Sequence, residues 1–200
     1  MSRTRLLEAD RSAVVVIDLQ GKLVEMIWRS DLVLAATRRL MKLAAIFTRP
    51  VILTEQYPEG LGATHPDVRA VYDDAETEKR HVEKVSFGCC GDDGFNRALD
   101  ELLPGVPVGE RQIVVAGIEA HVCVMQTVVE LLRAGSEVHV CWECVSGRGE
   151  EYRRHALDRM QQAGAVITNH ESVAFEWART KDHEAFRAVN RLLREGQLEG

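Results

Sequence analysis

The sequence predicts an α/β fold of three layers, in which helices cover both faces of a doubly wound, mostly parallel, Rossmann-like sheet. Short β-branched apolar runs, such as Ala13–Ile17 and Ile113–Ala116, are typical of strands that are buried on both faces. Segments with apolar residues at helical spacing separate these runs. The alternation of strand and helix favours parallel strands that are joined by right-handed crossovers.

The predicted strands can be followed from one end of the chain to the other. Each is a short apolar run that is bounded by polar, glycine or proline residues. They cover 13–17, 51–54, a short strand that ends near Lys84, 113–116, 137–141 and 165–168.

The helices are predicted from apolar stripes and from residues that can begin or end a helix. Ser30 or Asp31 can cap the first helix, and Gly135 follows the helix after Cys123 as a ready C-cap. The polar, turn-rich segment 55–66 predicts a loop at the C-terminal end of the second strand. The predicted helices run from Ser30 or Asp31 to Phe47, over 93–103, from Cys123 to about Arg133, over 150–163 and through a tail at 173–194.

Length and composition limit the classes of protein that this chain can represent. Two hundred residues with 46% hydrophobic composition predict one domain, 1–200, with a substantial core. A net charge of −6 without a Lys/Arg-rich block argues against nucleic acid or membrane partners. Five cysteines, an odd number, favour free thiols in a reducing compartment. Because the N-terminus lacks the pattern of a signal peptide and no apolar run would span a bilayer, we expect a cytoplasmic protein.

Three chemically active residues follow three different predicted strands. Asp18, Lys84 and Cys123 would lie at the C-terminal ends of parallel strands, and therefore at one edge of the sheet. A carboxylate beside a thiol can take its proton, and an ammonium group can stabilise the thiolate. The start of a helix at Cys123 would favour the thiolate as well. Each residue alone is more often structural: a cap, a surface charge and a space-filling thiol. Their convergence predicts a catalytic group.

Four segments carry a family resemblance: VVVIDLQ at 14–20, TEQYPEGLGAT at 54–64, EKVSFG at 83–88 and AGIEAHVCVMQT at 116–127. Together they resemble the isochorismatase-like cysteine hydrolase superfamily, which includes nicotinamidases and N-carbamoylsarcosine amidases. The chain is most similar to the isochorismatase domain-containing subgroup. VSGR at 145–148 and MQQAGAVIT at 160–168 extend the similarity, so that it covers a core of about 13–175.

The resemblance implies the isochorismatase-like hydrolase fold and a triad with Asp18 as general base, Lys84 as its electrostatic partner and Cys123 as nucleophile. It also implies a cis peptide bond between Ile118 and Glu119, with an oxyanion hole formed by the N–H groups of Glu119 and Cys123. The implied reaction is metal-independent cleavage of a small amide, imide or related carbonyl substrate through a thioester, without a cofactor. The alternative is a non-catalytic or regulatory oligomeric member of the same fold.

The chain also departs from its relatives. Nicotinamidases of the superfamily carry an Asp-x-His metal pair after the second strand, where this chain has Glu55, Gln56 and Tyr57. We therefore expect no catalytic zinc and disfavour nicotinamide as substrate. True isochorismatases cleave a vinyl ether and can lack the cysteine, so Cys123 favours acyl chemistry. An aspartate is usual in the subgroup where Glu143 stands, and a serine where Gly147 stands.

Aromatic residues near predicted strand ends offer a substrate pocket. Tyr57, Phe87 and Trp142 could form an apolar wall, or they could be ordinary packing residues. His121 could line the pocket, orient water, or point into a subunit contact. The sequence leaves these alternatives open.

The remaining motifs carry weaker signals. Cys141 and Cys144 form a CxxC motif, for which Cys89 and Cys90 are the only further cysteines that could complete a zinc site, so we expect reduced, buried thiols. No GxGxxG follows the first strand, and no GxSxG occurs, which argues against dinucleotide-dependent and serine hydrolase chemistry. Four apolar residues of the tail predict subunit contacts and a homo-oligomer: Val173, Phe175, Trp177 and Phe186.

Overall fold

The computed structural model describes residues 5–195, and the other residues of the predicted domain 1–200 lie outside the described range. The predicted three-layer α/β fold is confirmed, with a sheet of six strands that all pair in parallel. The strands are β1 (Ser12–Ile17), β2 (Val51–Gln56), β3 (Lys79–Lys84), β4 (Gln112–Gly117), β5 (Glu137–Val145) and β6 (Val166–Thr168). Their order across the sheet is β3-β2-β1-β4-β5-β6.

Nine α-helices lie within the described residues, and the apolar faces of the longer ones form the two outer layers. They are α1 (Gly21–Val24), α2 (Ser30–Ile46), α3 (Pro58–Leu61), α4 (Pro66–Asp74), α5 (Asp93–Leu102), α6 (Met125–Ala134), α7 (Glu150–Gln162), α8 (His170–Ala178) and α9 (Phe186–Arg194). The predicted cap of α2 was wrong. The residue before this helix is Arg29 in a left-handed conformation, and it forms no side-chain cap.

Two apolar cores lie on opposite faces of the sheet. One contains the buried faces of α2, α4, α8 and α9, and the other contains those of α5, α6 and α7. Leu7 and Val189 are fully buried in the first core, so the packed unit extends beyond 13–175 at both ends. Among helices of the described residues, none combines the length and the apolar character that crossing a bilayer requires.

The central strands are buried along their whole length. Every residue of β1 and β4 is buried, and Val16 pairs with Ala116 in the register that joins the two strands. This double burial explains the continuous β-branched composition of both runs. The strand order reverses between β1 and β4, and ligands of open α/β sheets bind at the C-terminal side of such a reversal.

The segment after β2 is more ordered than the predicted loop 55–66. Strand β2 continues through Glu55 and Gln56, and both side chains are buried. Glu55 accepts hydrogen bonds from the N–H and the hydroxyl of Thr64 at 2.7 and 2.6 Å. The backbone nitrogen of Gln56 donates a hydrogen bond to Gln20 Oε1 at 2.7 Å. The sequence predicts that these polar residues lie in a loop, whereas in the structure they are buried and form tertiary hydrogen bonds.

The C-terminal tail is two helices rather than one. Asn169 caps α8 by accepting a hydrogen bond from the Ser172 nitrogen at 2.8 Å, so this helix begins before the predicted Val173. Val173 and Trp177 are buried within the chain, and the Trp177 ring packs against Phe47 with centroids 5.4 Å apart. Phe175 is 44% exposed. The tail therefore closes this chain's own core, and most of its apolar residues no longer indicate a subunit contact.

Strand β5 is longer than the predicted 137–141 because it contains a bulge. Val115 pairs with Val140 and Gly117 pairs with Val145, so β5 has four residues opposite the single Ala116 of β4. The CxxC motif lies inside this bulge, whereas the sequence placed it across a strand end. Cys141 and Cys144 face the core that contains α2 and α8, while Val140 and Val145 face the other core.

Gly117 offers a test of how closely β1 and β4 approach. Its φ is +125°, and a Cβ at this position would lie 2.1 Å from the Ile17 carbonyl oxygen. Gly117→Ala should therefore lower the free energy of unfolding by at least about 3 kcal/mol. Gly109→Ala is the matched control, because a Cβ there meets nothing within 4 Å. Urea denaturation of the two variants checks this expectation, and equal stabilities would contradict the close approach.

Candidate active site

A buried ion pair joins the ends of β1 and β3. The Lys84 ammonium donates to Asp18 Oδ2 at 2.7 Å, and both side chains are fully buried. Lys84 also donates to Gln56 Oε1 at 2.8 Å and to the carbonyls of Ser86 and Phe87 at 3.1 and 3.2 Å. A buried ammonium group needs several acceptors to offset its lost hydration, and this set supplies them. Lys84 is therefore a structural centre of the site, and not a solvated surface charge.

Asp18 is held on its other side by β2. The Thr54 hydroxyl donates to Asp18 Oδ1 at 2.7 Å, and the Asp18 nitrogen donates to the Thr54 carbonyl at 3.2 Å. The backbone of Asp18 is left-handed, with φ of 51°, a conformation that costs free energy in a non-glycine residue. Asp18 is thus fixed in orientation by two neighbouring strands, and it does not cap a helix.

Cys123 reaches the same edge from β4. It lies in a π-helical turn, Ala120–Val124, which leads into α6, and its thiol is close enough to Asp18 and Lys84 for both charges to shift its pKa. The predicted trio is therefore brought together. Cys123 lies two residues before α6 proper, which begins at Met125, and the π-helical turn that contains it continues into that helix, close to the predicted helix start.

The electrostatics of Cys123 differ from the sequence-based expectation of a thiolate. Burial raises the pKa of the Cys123 thiol well above its ordinary value, and the adjacent Asp18 carboxylate raises it further. Lys84 lowers the pKa, but its effect is smaller than these contributions. The resting group is therefore a neutral thiol close to a carboxylate, which is an arrangement for general-base activation.

A second thiol lies beside the triad. Cys89 is fully buried, and burial raises its pKa to about 12 while Lys84 lowers it and Asp18 raises it. The Thr127 hydroxyl accepts from the Cys89 nitrogen at 3.0 Å and donates to the Cys123 carbonyl at 2.7 Å. Thr127 thus ties the segment after β3 to the turn that carries Cys123.

The peptide bond between Ile118 and Glu119 is cis, as the resemblance implied. Ile118 is fully buried, and its nitrogen donates to the Ile17 carbonyl at 2.9 Å. The Glu119 carboxylate accepts two hydrogen bonds from Arg148, each of 2.9 Å, in a bidentate pair. This pair joins the Cys123 turn to the loop after β5.

His121 belongs to the surroundings of Glu119. Its Nε2 lies 3.8 Å from Glu119 Oε2, and its ring stacks on Tyr152 with centroids 4.7 Å apart. A Cβ on Gly147 would come within 2.9 Å of His121 Nδ1, so the glycine at this position leaves room for the ring. His121 thus packs within the chain in this structure.

The three aromatic residues of the proposed pocket wall have different surroundings. Tyr57 and Phe87 are 53% and 56% exposed. Tyr57 follows Gln56 in the chain, and the Phe87 carbonyl accepts a hydrogen bond from Lys84. Trp142 projects from the β5 bulge, where the Arg153 guanidinium lies 5.3 Å from its ring centroid. Tyr57 and Phe87 can flank the triad, whereas the contacts of Trp142 lie with Arg153.

Sequence reasoning missed several residues that build the site. Thr54 closes a predicted strand, which is a position where a polar side chain faces the reactive edge. Gln56 was placed in a loop, and Gln20 carries no distinctive signal in the sequence. Gln20 Nε2 donates to the Gln56 carbonyl at 3.0 Å and to the Gly62 carbonyl at 2.6 Å. These amides hold the β2 end and the following loop against the triad.

Glu55 has a structural role at the end of β2, where it is buried and hydrogen bonded to Thr64. Burial alone would raise its pKa, but hydrogen bonds from Thr64 and the proximity of His81 hold the pKa below its ordinary value of 4.5. Within the described residues, one group of at least three metal-ligating side chains lies close together, and it lies on β5: Cys141, Glu143 and Cys144.

Comparison with known proteins identifies the family of this chain. The family model for the isochorismatase domain matches residues 12–172. The chain belongs to the isochorismatase family. Isochorismatase family protein 1B of Dictyostelium discoideum is 32% identical over 90% of the chain and 84% of its own length. Isochorismatase domain-containing protein 2 of Xenopus laevis is 33% identical over 93% of the chain and 85% of its own length.

Solved structures of the isochorismatase family share the fold. A structure described as MAR1 ribonuclease from Caenorhabditis elegans has a TM-score of 0.86 and 32% identity, and the match covers 98% of this chain and 95% of that one. The Escherichia coli YcaC gene product, described as an octameric hydrolase of unknown specificity, has a TM-score of 0.82 and 25% identity, with 96% and 91% coverage. The chain therefore has an isochorismatase-family hydrolase fold.

Because the Asp18 charge raises the pKa of Cys123, removing that charge should make Cys123 alkylate faster. Asp18→Asn removes the carboxylate that raises the Cys123 pKa, so the thiolate fraction at a given pH should increase. For each unit by which the pKa falls, the thiolate fraction rises about tenfold, and iodoacetamide labelling of Cys123 should accelerate about threefold because the thiolate also becomes less nucleophilic. Peptide mass spectrometry across neutral and alkaline pH measures the rate.

Asp73→Asn is the matched control, because Asp73 is paired with Arg69 on α4. Lys84→Met should have the opposite effect, since Lys84 lowers the pKa of Cys123. An alkylation rate and pH profile that are unchanged in Asp18→Asn would contradict the effect of the Asp18 charge on the Cys123 pKa.

Proposed function

We propose that the protein is a metal-independent cysteine hydrolase that cleaves a small amide, imide or related carbonyl compound through a thioester on Cys123. The observation that carries the proposal is that the Cys123 thiol lies close to the charge of Asp18, whose carboxylate is ion-paired to Lys84 at 2.7 Å. This arrangement contains a nucleophile, a nearby base and a fixed positive charge.

In the proposed first half-reaction, Cys123 Sγ attacks the substrate carbonyl carbon while Asp18 takes the thiol proton. The carbonyl oxygen gains negative charge, and we assign its stabilisation to the N–H groups of Glu119 and Cys123. The protonated Asp18 then gives its proton to the leaving nitrogen as the C–N bond breaks. Ammonia or an amine departs, and the acyl group remains on Cys123.

In the second half-reaction, water attacks the thioester carbonyl and Asp18 takes a proton from this water. The C–S bond breaks, the sulfur regains a proton from Asp18, and a carboxylic acid is released. Lys84 stays protonated throughout, because four acceptors surround its ammonium group. Every proton transfer uses a group of this chain, which supports a reaction without a metal or cofactor.

The high resting pKa of Cys123 agrees with this sequence of steps. A substrate whose carbonyl group displaces water from the site brings an electrophile to a thiol that already lies close to its base. A preformed thiolate would carry a second negative charge beside Asp18, which the buried site disfavours.

The relatives' names bear on the choice of assay. YcaC is described as a hydrolase of unknown specificity, and the C. elegans structure is described as a ribonuclease. RNA binding draws most of its affinity from basic residues that neutralise phosphates, and this chain has a net charge of −6. We therefore favour a small-molecule substrate, and RNA serves as a comparison substrate.

The proposal is tested by a panel of primary amides, cyclic imides, N-carbamoyl compounds and a short RNA. One of the carbonyl classes should release ammonia or amine, and Cys123→Ser should reduce this rate at least about 10³-fold. Intact-protein mass spectrometry of the wild type after rapid quenching should show an acyl adduct on the Cys123 peptide.

Cys90→Ser is the matched control, since Cys90 is half-buried and its pKa responds to Glu130 and Cys89 and not to the triad's charges. Hydrolysis that survives Cys123→Ser would refute the nucleophile. Cleavage of RNA without turnover of any carbonyl compound would replace the proposal with a nuclease. A folded protein that is inactive on every class would favour the non-catalytic alternative.

We also propose a homo-oligomer in the cytoplasm. The octameric description of YcaC supports the assembly, and large apolar side chains remain exposed near the site, including Val85 at 80% and Phe87 at 56%. Five free thiols support a reducing compartment. Light scattering coupled to gel filtration should give the mass of several chains, and Val85→Lys with Phe87→Lys should reduce it. A monomeric wild type would contradict the assembly.

A further inference from the structure

The β5 bulge gathers three metal-binding side chains at one point inside the protein. In a regular strand, successive side chains alternate between the two faces, so Cys141 and Cys144 would lie on opposite faces. The four bulge residues opposite Ala116 change this alternation, and both thiols enter the core beside α2 and α8. The ligand atoms of Cys141, Glu143 and Cys144 all lie within 4.8 Å of one another.

The carboxylate in this cluster is incompletely satisfied. Glu143 is 4% exposed, and its Oε2 has no hydrogen-bond partner among the described residues. Buried carboxylate oxygens are almost always hydrogen bonded or bound to a cation, because their desolvation is otherwise uncompensated. This unpartnered oxygen is an observation that is independent of the two thiols, and it indicates a missing positive partner.

The other carboxylate oxygen is fixed by α8. Glu143 Oε1 lies 2.5 Å from the His170 nitrogen and 2.6 Å from His170 Nδ1, and His170 is itself buried. An outer residue that orients one oxygen of a ligating carboxylate is a regular feature of metal sites. Glu143 is therefore held rigidly, with its second oxygen available to a cation.

We propose that Cys141, Glu143 and Cys144 bind a zinc ion, with His170 orienting the carboxylate. A tetrahedral zinc holds sulfur and oxygen ligands about 3.6 to 3.8 Å apart, so a small contraction of the observed cluster suffices. Glu143 also lines a cavity of about 30 Å³ beside Trp28, Trp142 and Arg153, which has room for one water on the carboxylate side of the cluster.

The charges of the cluster favour zinc over other cations. Thiolates select soft metals, and a carboxylate among them favours Zn²⁺ over Cu⁺. On binding, each thiol gives one proton to solvent and forms one Zn–S bond, and the carboxylate forms a Zn–O bond. Two thiolates, one carboxylate and one Zn²⁺ carry a net charge of −1. Arg153, which interacts electrostatically with Glu143, balances this charge.

The position of the cluster indicates a structural zinc. It joins the β5 bulge to the first turn of α8, on the face of the sheet opposite the core that contains Cys123. Such a zinc would touch none of the reacting atoms, so its binding and the proposed hydrolysis can fail independently.

The test uses the full chain purified from cells grown with zinc and then exchanged with cobalt. Elemental analysis should find about one zinc per chain, and cobalt should produce thiolate charge-transfer absorption in the near ultraviolet. Cys141→Ser, Cys144→Ser and Glu143→Gln should each weaken zinc binding at least about 100-fold, and His170→Asn should weaken it about 10- to 100-fold.

Cys90→Ser and Cys123→Ser are the matched controls, and both should keep the metal and the absorption. Circular dichroism establishes that each variant is folded, and the cobalt spectrum of the wild type tests the site even where a variant does not fold. A folded wild type that binds neither zinc nor cobalt would overturn the proposal. So would absorption that persists in Cys141→Ser and Cys144→Ser, or a Cys141–Cys144 disulfide in freshly purified, unreduced protein.

Discussion

The ion pair between Lys84 and Asp18 is the constraint on which the rest of the site depends. Both side chains are fully buried, and a buried charge that loses its partner destabilises a protein by about 3 to 5 kcal/mol. The pair is surrounded by hydrogen bonds from Thr54 to Asp18 and from Lys84 to Gln56. Because these residues come from the ends of β1, β2 and β3, satisfying the two charges fixes three strands relative to one another at the edge that Cys123 approaches.

The same charges determine the state of the nucleophile. Burial and Asp18 favour the neutral form of the Cys123 thiol, and these effects outweigh the opposing effect of Lys84. Lys84 is ion-paired with Asp18 and hydrogen bonded to neutral acceptors, so the Cys123 thiol lies beside a pair whose net charge is close to zero. In the proposed reaction, such a site keeps Cys123 protonated until a substrate arrives. Asp18 would then be a nearby base, without a long-range proton path.

Strand β5 serves the two faces of the sheet differently. Its regular part contributes Val138 and Val140 to the core that surrounds Cys123, whereas its bulge turns two thiols and Glu143 toward α8. A strand without the bulge could not present Cys141 and Cys144 to the same core. The loop that follows carries Arg148 back to Glu119 at 2.9 Å, so the conformation of β5 also bears on the turn that holds the nucleophile.

The sequence by itself determined the fold class, four of the six strands to within two residues of each end, and the three residues that meet at the switch point. Those features depend on local periodicity and on the rule that parallel strands end at one edge. Tertiary structure decided the burial of Gln56, the second thiol beside the triad, the protonation of Cys123 and the grouping around Glu143. Each of these depends on contacts between residues far apart in the chain, such as Glu143 with His170 and Cys89 with Thr127. Desolvation and hydrogen bonding arise only when the chain is packed, so no local pattern encodes them.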